Sequence, residues 1–232
     1  LTTGAASWTP PEPSRASRQV PLRSTASFRG FVVDPGRNRE FVFESKLERG
    51  FIYISLASDL VEDYLDQPPP VDFVDGSGRT ATHTFDALLT LRDGTRVAVD
   101  LKPKERVDRS RILEVHRLIE AQVGAAFADV FLLRTEDHVH PDDVHDARLL
   151  LRARALPCPA SDARVASMAS GLHGWCRLRD LVAASGIGGN AFNAAVRLIG
   201  DRVLEVRGHA RISYECFVRR AQPLTCKQGG TA

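Results

Sequence analysis

The sequence predicts an α/β protein with a mixed sheet, followed by a small helical module. Short β-rich runs alternate with segments whose apolar residues recur at helical spacing. The last β run, ADVFLL, is almost wholly apolar, which is typical of a buried strand. The predicted order is α-β-β-β-α-β: a helix at 44–58, strands at 71–74, 81–91 and 95–101, a helix at 106–123 and a strand at 128–133.

The chain divides by composition into five parts. The first part is rich in Pro, Ser, Thr and Arg without periodicity, which predicts disorder. The expected parts are a disordered arm at 1–27, the α/β domain at 28–135, a connector at 136–160, a helical domain ending in a hairpin at 161–220, and a tail at 221–232.

Charge and composition exclude several classes of protein. With 31 basic and 29 acidic residues the formal charge is +2, so bulk charge alone does not bind nucleic acid. No apolar run reaches the length of a membrane span, and the first residues do not resemble a signal peptide. The four cysteines form no C-x-x-C pair, which argues against zinc or redox motifs. We expect a cytoplasmic protein with reduced thiols.

The turn between the two long β runs decides which side chains share a face. A two-residue Asp-Gly turn would mix polar and apolar residues on both faces of the hairpin. A three-residue loop, Arg92-Asp93-Gly94 with Gly94 left-handed, separates them. Because a one-residue slip exchanges the faces, burial favours the second register. Its predicted pairs are Phe85 with Leu101, Ala87 with Val99, Leu89 with Val97, Asp86 with Asp100 and Thr84 with Lys102.

This register predicts two carboxylates and an ammonium in one patch of the sheet. Asp86 and Asp100 would repel each other unless a cation lay between them. Hard divalent cations bind such oxygens and keep open positions for water and phosphate. Lys102 could orient the attacking water or offset charge in a transition state. The alternative is a solvated polar face on which Lys102 neutralises the aspartates.

Five short motifs in order resemble the TnsA-type endonuclease family, the endonuclease subunits of Tn7-like heteromeric transposases, within the PD-(D/E)xK nuclease superfamily. They are FESKLER at 43–49, DQP at 66–68, HTFD at 83–86, DG at 93–94 and VDLKP at 99–103. The resemblance covers about residues 28–135. It implies a restriction-endonuclease-like mixed-sheet core that uses Mg²⁺ or Mn²⁺.

The resemblance also implies roles for individual residues. Glu48 would be the helical carboxylate that shares a metal with Asp86, Asp100 the second-strand ligand and Lys102 the catalytic lysine. Glu48 could instead be an ordinary exposed helix carboxylate. Phe85 stands where the family often has Pro, and Asp100 where it often has Glu or Gln. The family's further acidic residue could be Glu114 or Glu120, between which the sequence does not choose.

Histidines contribute less to the predicted site. A single histidine beside a turn, as at position 83, is more often a surface residue than an acid or base. His138, His140 and His145 stand among acidic residues, but their spacing suits no standard ligand set. Asp142 and Asp143 are explained by a helix start, where the dipole favours negative charge.

The predicted helices and hairpin of residues 161–220 resemble a winged helix. Helices are expected at 163–171, 178–185 and 190–199, with strands at 203–206 and 210–214. Asn190, Asn193 and Arg197 share one side of the third helix and are residue types that read bases, while Arg207 and Arg211 lie on the wing. Docking of a protein partner is the alternative use of this module.

The sequence therefore favours a metal-dependent endonuclease that hydrolyses a phosphodiester of double-stranded DNA. By resemblance it would cut transposon ends together with a second transposase subunit and an ATPase regulator. A free-standing nuclease of DNA defence or repair is the first rival. A catalytically silent DNA-binding adaptor is the second.

Overall fold

The computed structural model describes residues 8–18 and 28–222, and the chain divides into two compact units, Leu1–Leu151 and Arg152–Ala232. Within the described residues, every helix is too short or too polar to traverse a bilayer. Each unit has its own helices and at least one sheet of its own.

The first unit is a mixed α/β structure. Its strands are β1 Gly30–Asp34, β2 Arg39–Phe43, β3 Val61–Asp66, β4 Val71–Val74, β5 Thr80–His83, β6 Ala87–Leu91, β7 Arg96–Leu101 and β8 Val130–Arg134. Its helices are α1 Lys46–Ala57, α2 Val107–Ser110, α3 Ile112–Gln122 and most of α4 Pro141–Ala155. The predicted α/β class is confirmed, but β1, β2 and β3 were not predicted.

Four strands form the central sheet, in the order β3-β6-β7-β8. The first three run antiparallel, and β8 joins β7 in parallel, so the sheet is mixed. Ala87 pairs with Val99 and Leu89 with Val97, and Gly94 has a φ of 87°. These pairs confirm the three-residue loop, and the left-handed glycine explains why the loop closes there.

The first predicted long strand is interrupted at residues 84–86. The ladder between β6 and β7 ends at the Ala87–Val99 pair, so the predicted pairs of Phe85 with Leu101, Asp86 with Asp100 and Thr84 with Lys102 do not form. Phe85 is fully buried in another cluster, where its ring stacks on Phe127 at 5.4 Å between centroids. Because residues 84–86 lie outside the strand, their side chains need not alternate between the two faces of the sheet.

Both faces of the central sheet are packed against helices. On one face, Phe51, Ile52 and Leu56 of α1 join the buried side chains Ala87 and Val99. On the other face, Ile119 of α3 packs with Ala98 and Phe85. The predicted helix at 106–123 is broken where Arg111 adopts a φ of 52°, which divides it into α2 and α3. The central sheet is therefore covered on both sides.

A segment of the predicted disordered arm is ordered against the first unit. Ser14 Oγ donates to Asp66 Oδ2 at 2.6 Å, and Arg18 Nη2 lies 2.8 Å from Glu44 Oε1. The backbone of Glu12 bonds to both Asn38 and Glu40 beside β2. The prediction of disorder is wrong for residues 8–18, because these polar contacts fix the backbone; residues 1–7 and 19–27 lie outside the described part.

Apart from the end of α4, the described part of the second unit contains three α-helices and a small antiparallel sheet. The helices are α5 Pro159–Ser170, α6 Leu178–Ser185 and α7 Gly189–Gly200, and the strands are β9 Cys176–Arg177, β10 Leu204–Val206 and β11 Phe217–Arg220, in the order β10-β11-β9. The predicted strand at 210–214 is wrong, since the partner of β10 is β11. The predicted tail at 221–232 is described only to residue 222.

Candidate metal centre

Asp86 lies at the interruption that precedes β6. Its backbone N–H donates to Val99 O at 3.0 Å, and its Oδ2 accepts from the N–H of Leu101 at 2.6 Å. The Asp86 side chain therefore accepts a backbone hydrogen bond from β7 beyond the point where the pairing of β6 with β7 ends. This contact fixes the carboxylate beside the end of β7.

Negative neighbours make Asp86 difficult to ionise. Burial and the charge of Asp100 raise its pKa to about 7, against the hydrogen bond from Leu101 N–H. Glu48 raises this pKa further, whereas the positive charge of Lys102 lowers it. Carboxylates that raise one another's pKa are the electrostatic condition under which a divalent cation binds favourably.

Two imidazoles hold Asp100 on β7. His83 Nε2 and His116 Nε2 each lie 2.7 Å from Asp100 Oδ2, and the Asp100 side chain is 1% exposed. Its Oδ1 is buried and has no hydrogen-bond partner among residues 8–18 and 28–222. Burial alone would raise the pKa of Asp100, but the hydrogen bonds from His116 and His83 outweigh it and lower the pKa.

Glu48 forms part of the start of α1. Ser45 is the N-cap of that helix: its Oγ accepts from Glu48 N at 3.1 Å and donates to Glu48 Oε1 at 2.8 Å. Glu48 Oε2 accepts from the N–H of Glu44 at 2.7 Å. The carboxylate thus stabilises the helix start in a manner close to a capping box, while its charge reaches Asp86.

The other predicted residues of the first unit lie as follows. Lys102 is part-buried directly after β7, and its backbone N–H donates to Arg134 O at 3.0 Å. Glu114 is held by both Nε and Nη2 of Arg111 at 2.7 Å, and Glu120 is exposed. The carboxylates that raise the pKa of Asp86 are Asp100 and Glu48.

Mg²⁺ or Mn²⁺, which the family resemblance implies, would take its ligands here from Asp86 and Asp100; among the described residues, Glu48 does not join these two in a group of three close ligand atoms. Asp86 and Asp100 offer carboxylate oxygens, which such ions prefer. The buried Oδ1 of Asp100 lacks a hydrogen bond within the described part of the chain, and a bound cation would supply the missing partner.

The sequence did not identify His116 as a site residue. It lies on α3 at the same helical face as Ile112 and Ile119, and all three side chains are buried. A histidine on the apolar stripe of a helix is the signal that could have found it. His83, expected at the surface, has a side chain only 17% exposed, because it turns toward Asp100.

The residues predicted to contact DNA or a partner differ in exposure. Asn190 is exposed and Asn193 is part-buried, while Arg207 and Arg211 are exposed. Arg197 is 6% exposed, and its guanidinium binds Asp162. The assignment of Arg197 to a DNA- or partner-binding surface is wrong, because the side chain is committed to the interior of its own unit.

No family model matches the chain, and no curated protein shows a significant similarity to it.

Proposed function

We propose that the chain is a metal-dependent DNA endonuclease. The observation that carries the proposal is the position of the Asp86 carboxylate, held by the Leu101 N–H at the end of β7, the strand that carries the buried Asp100. Burial and the charge of Asp100 raise the pKa of Asp86 to about 7. Perturbed carboxylates clustered with a cationic group are typical of functional sites. The resemblance of the motifs around these residues to TnsA-type endonucleases gives the reaction class.

The residues of the site have separate roles in phosphodiester hydrolysis. Asp86 and Asp100 would hold the cation, and the Leu101 N–H keeps Asp86 in one orientation. Mg²⁺ or Mn²⁺ bound there would polarise the phosphate and lower the pKa of a bound water. The ammonium of Lys102 offsets negative charge that develops on the phosphate. Glu48 adds a negative charge that favours the cation, from its place at the start of α1.

Within this proposal, the biological role is to cleave transposon ends with a second transposase subunit and an ATPase regulator. A free-standing nuclease of DNA defence or repair has the same site. Neighbouring transposase and ATPase genes would favour the first role, and their absence the second.

The test is nicking of supercoiled DNA by the full chain with Mn²⁺, with and without EDTA. We expect nicking with Mn²⁺ and none with EDTA. Asp86→Asn and Lys102→Ala should each lower the nicking rate about 10²-fold or more, since both residues act on charge in the transition state.

Two variants serve as matched controls. Asp72→Asn changes an exposed aspartate of β4, and Lys104→Ala changes a lysine paired with Asp137 two residues beyond Lys102. Both should nick as the unmodified chain does. A wild-type protein that nicks no DNA would contradict the proposal and favour a DNA-binding adaptor. Equal losses in the controls would contradict the assignment of Asp86 and Lys102.

A further inference from the structure

We propose that His83, Asp100 and His116 form a binding site for a divalent transition-metal ion such as Zn²⁺ or Co²⁺. These residues come from the end of β5, from β7 and from α3. One ligand atom from each lies within 4.8 Å of the others. The site shares Asp100 with the proposed nuclease centre, but its imidazoles belong to no part of that proposal.

The possible ligand atoms of His83, Asp100 and His116 lie close together. Both Nε2 atoms lie 2.7 Å from the same oxygen of Asp100. Ligands about 2.0–2.2 Å from one tetrahedral ion lie about 3.3–3.6 Å apart, so binding would move each Nε2 away from Oδ2 by less than about 1 Å. Two histidines and a carboxylate form a common ligand set for Zn²⁺ and for non-haem Fe²⁺, and they leave positions open for water or substrate.

The surroundings hold the two rings in place. Phe85 is fully buried and contacts both imidazoles, with ring centroids 4.7 Å from His83 and 5.4 Å from His116. The His116 side chain is 8% exposed. An apolar shell of this kind restricts water and preserves the directions of the ring nitrogens.

Asp100 gives a reason for a cation besides the positions of the two histidines. Its Oδ1 is buried without a hydrogen-bond partner in the described ranges, although its Oδ2 has two. A buried carboxylate oxygen left unsatisfied costs free energy and indicates an ion or a water that completes it. A divalent cation would balance the negative charge of this carboxylate.

The choice of ion follows from the nitrogen ligands. Mg²⁺ prefers oxygen and dehydrates reluctantly, whereas imidazole favours Zn²⁺, Co²⁺ and their neighbours. This site should therefore bind Co²⁺ in the presence of excess Mg²⁺. The acidic pair Asp86 and Asp100 would not show that preference.

The experiment titrates the EDTA-treated full chain with Co²⁺ and follows its visible absorption. We expect one ion per chain, with a band that excess Mg²⁺ does not remove. His83→Gln and His116→Gln should each weaken Co²⁺ binding at least tenfold, since even loss of an outer partner of a metal ligand costs about 10–100-fold. His140→Gln, which changes an exposed histidine, should bind Co²⁺ normally.

Asp86→Asn separates this site from the proposed nuclease centre. The Co²⁺ band should survive Asp86→Asn, even where nicking is lost. Loss of the band in Asp86→Asn with retention in both histidine variants would overturn the proposal and place the ion at the acidic pair. Absence of any band in the wild type would also overturn it. Should His116→Gln fail to fold, His83→Gln decides, because His83 ends a short, part-exposed strand.

Discussion

Asp162 and Arg197 form an ion pair inside the second unit. Asp162 Oδ1 accepts from Nε and Nη2 of Arg197 at 2.9 and 2.7 Å. Nη1 donates to the carbonyl oxygens of Ala153 and Leu156 at 2.7 and 3.0 Å. One guanidinium therefore connects α7 to the end of α4 and to α5. Its role is structural.

Arg197→Ala should destabilise the second unit. Removing the guanidinium leaves the part-exposed Asp162 carboxylate without its ion-pair partner and the Leu156 carbonyl without this donor, which costs about 1–3 kcal/mol. The measurement is thermal unfolding followed by circular dichroism. Asn190→Ala, an exposed change on the same helix, should alter the melting temperature little. A stable Arg197→Ala protein with weakened DNA binding would instead restore the reading role of that residue.

Glu48 has two roles that mutation can separate: its carboxylate caps the start of α1, and its negative charge acts on Asp86. Glu48→Gln keeps an acceptor for the helix start and removes the charge, so the free energy of unfolding should change by less than about 0.5 kcal/mol. If Glu48 shares the cation, nicking should fall in the same variant. Ser45→Ala removes the cap and should cost about 1 kcal/mol of stability. Full nicking by Glu48→Gln would leave Glu48 with the capping role alone.

Asp86 should make stability depend on pH in EDTA. Its pKa is about 7 in the folded state and about 4 in the unfolded state, so the folded state binds the extra proton between these values. Stability therefore falls as pH rises through that window, and the whole penalty is present above pH 7. Asp86→Asn lacks this penalty.

The measurement is urea unfolding in EDTA. At about pH 8, Asp86→Asn should be more stable than the wild type by about 2–4 kcal/mol, given about 1.4 kcal/mol for each pKa unit. Near pH 3 the two proteins should be alike, since the Asp86 carboxyl is then mostly protonated in both the folded and the unfolded state. Asp72→Asn serves as the control on an exposed strand. A difference that is the same at both pH values would contradict the raised pKa.

Gly50 should not tolerate alanine, although it lies within α1. A Cβ there would lie 2.7 Å from Val139 Cγ1 and 2.9 Å from Val144 Cγ2. Overpacking of this kind costs about 1–3 kcal/mol, more than the roughly 1 kcal/mol that alanine gains over glycine in a helix. Gly189→Ala, where a Cβ has open space, should be neutral or stabilising. If Gly50→Ala were more stable than the wild type, Val139 and Val144 would have shifted to make room for the methyl group.

Local patterns predicted the regular parts of the fold. Helix α6 and strand β4 begin and end where the sequence indicated, because turn residues and apolar spacing mark their ends. The register of β6 and β7 followed from the requirement to bury Ala87 and Val99. Strand β3, VEDYLD, was missed because its acidic residues give a weak apolar signal, although Tyr64 and Asp66 are buried.

The errors at the site come from contacts between distant elements. No local pattern places His116 of α3 against Asp100 of β7, since tertiary packing alone joins them. Arg197 occurred at a helical spacing typical of an exposed face, but Asp162, 35 residues earlier, draws it inward. Spacing along one element predicts a face, whereas the partner on another element decides what that face contacts.

The ordered segment 8–18 also has a consequence for association between chains. Strand β2 pairs with β1 on one side, while on its other side the Glu40 N–H donates to Glu12 O at 2.8 Å and Asn38 O accepts from Glu12 N at 2.7 Å. A chain beginning at Phe28 would leave these strand-edge groups without their partners. Because an open strand edge is a template for pairing with another molecule, such a chain should self-associate and lose solubility.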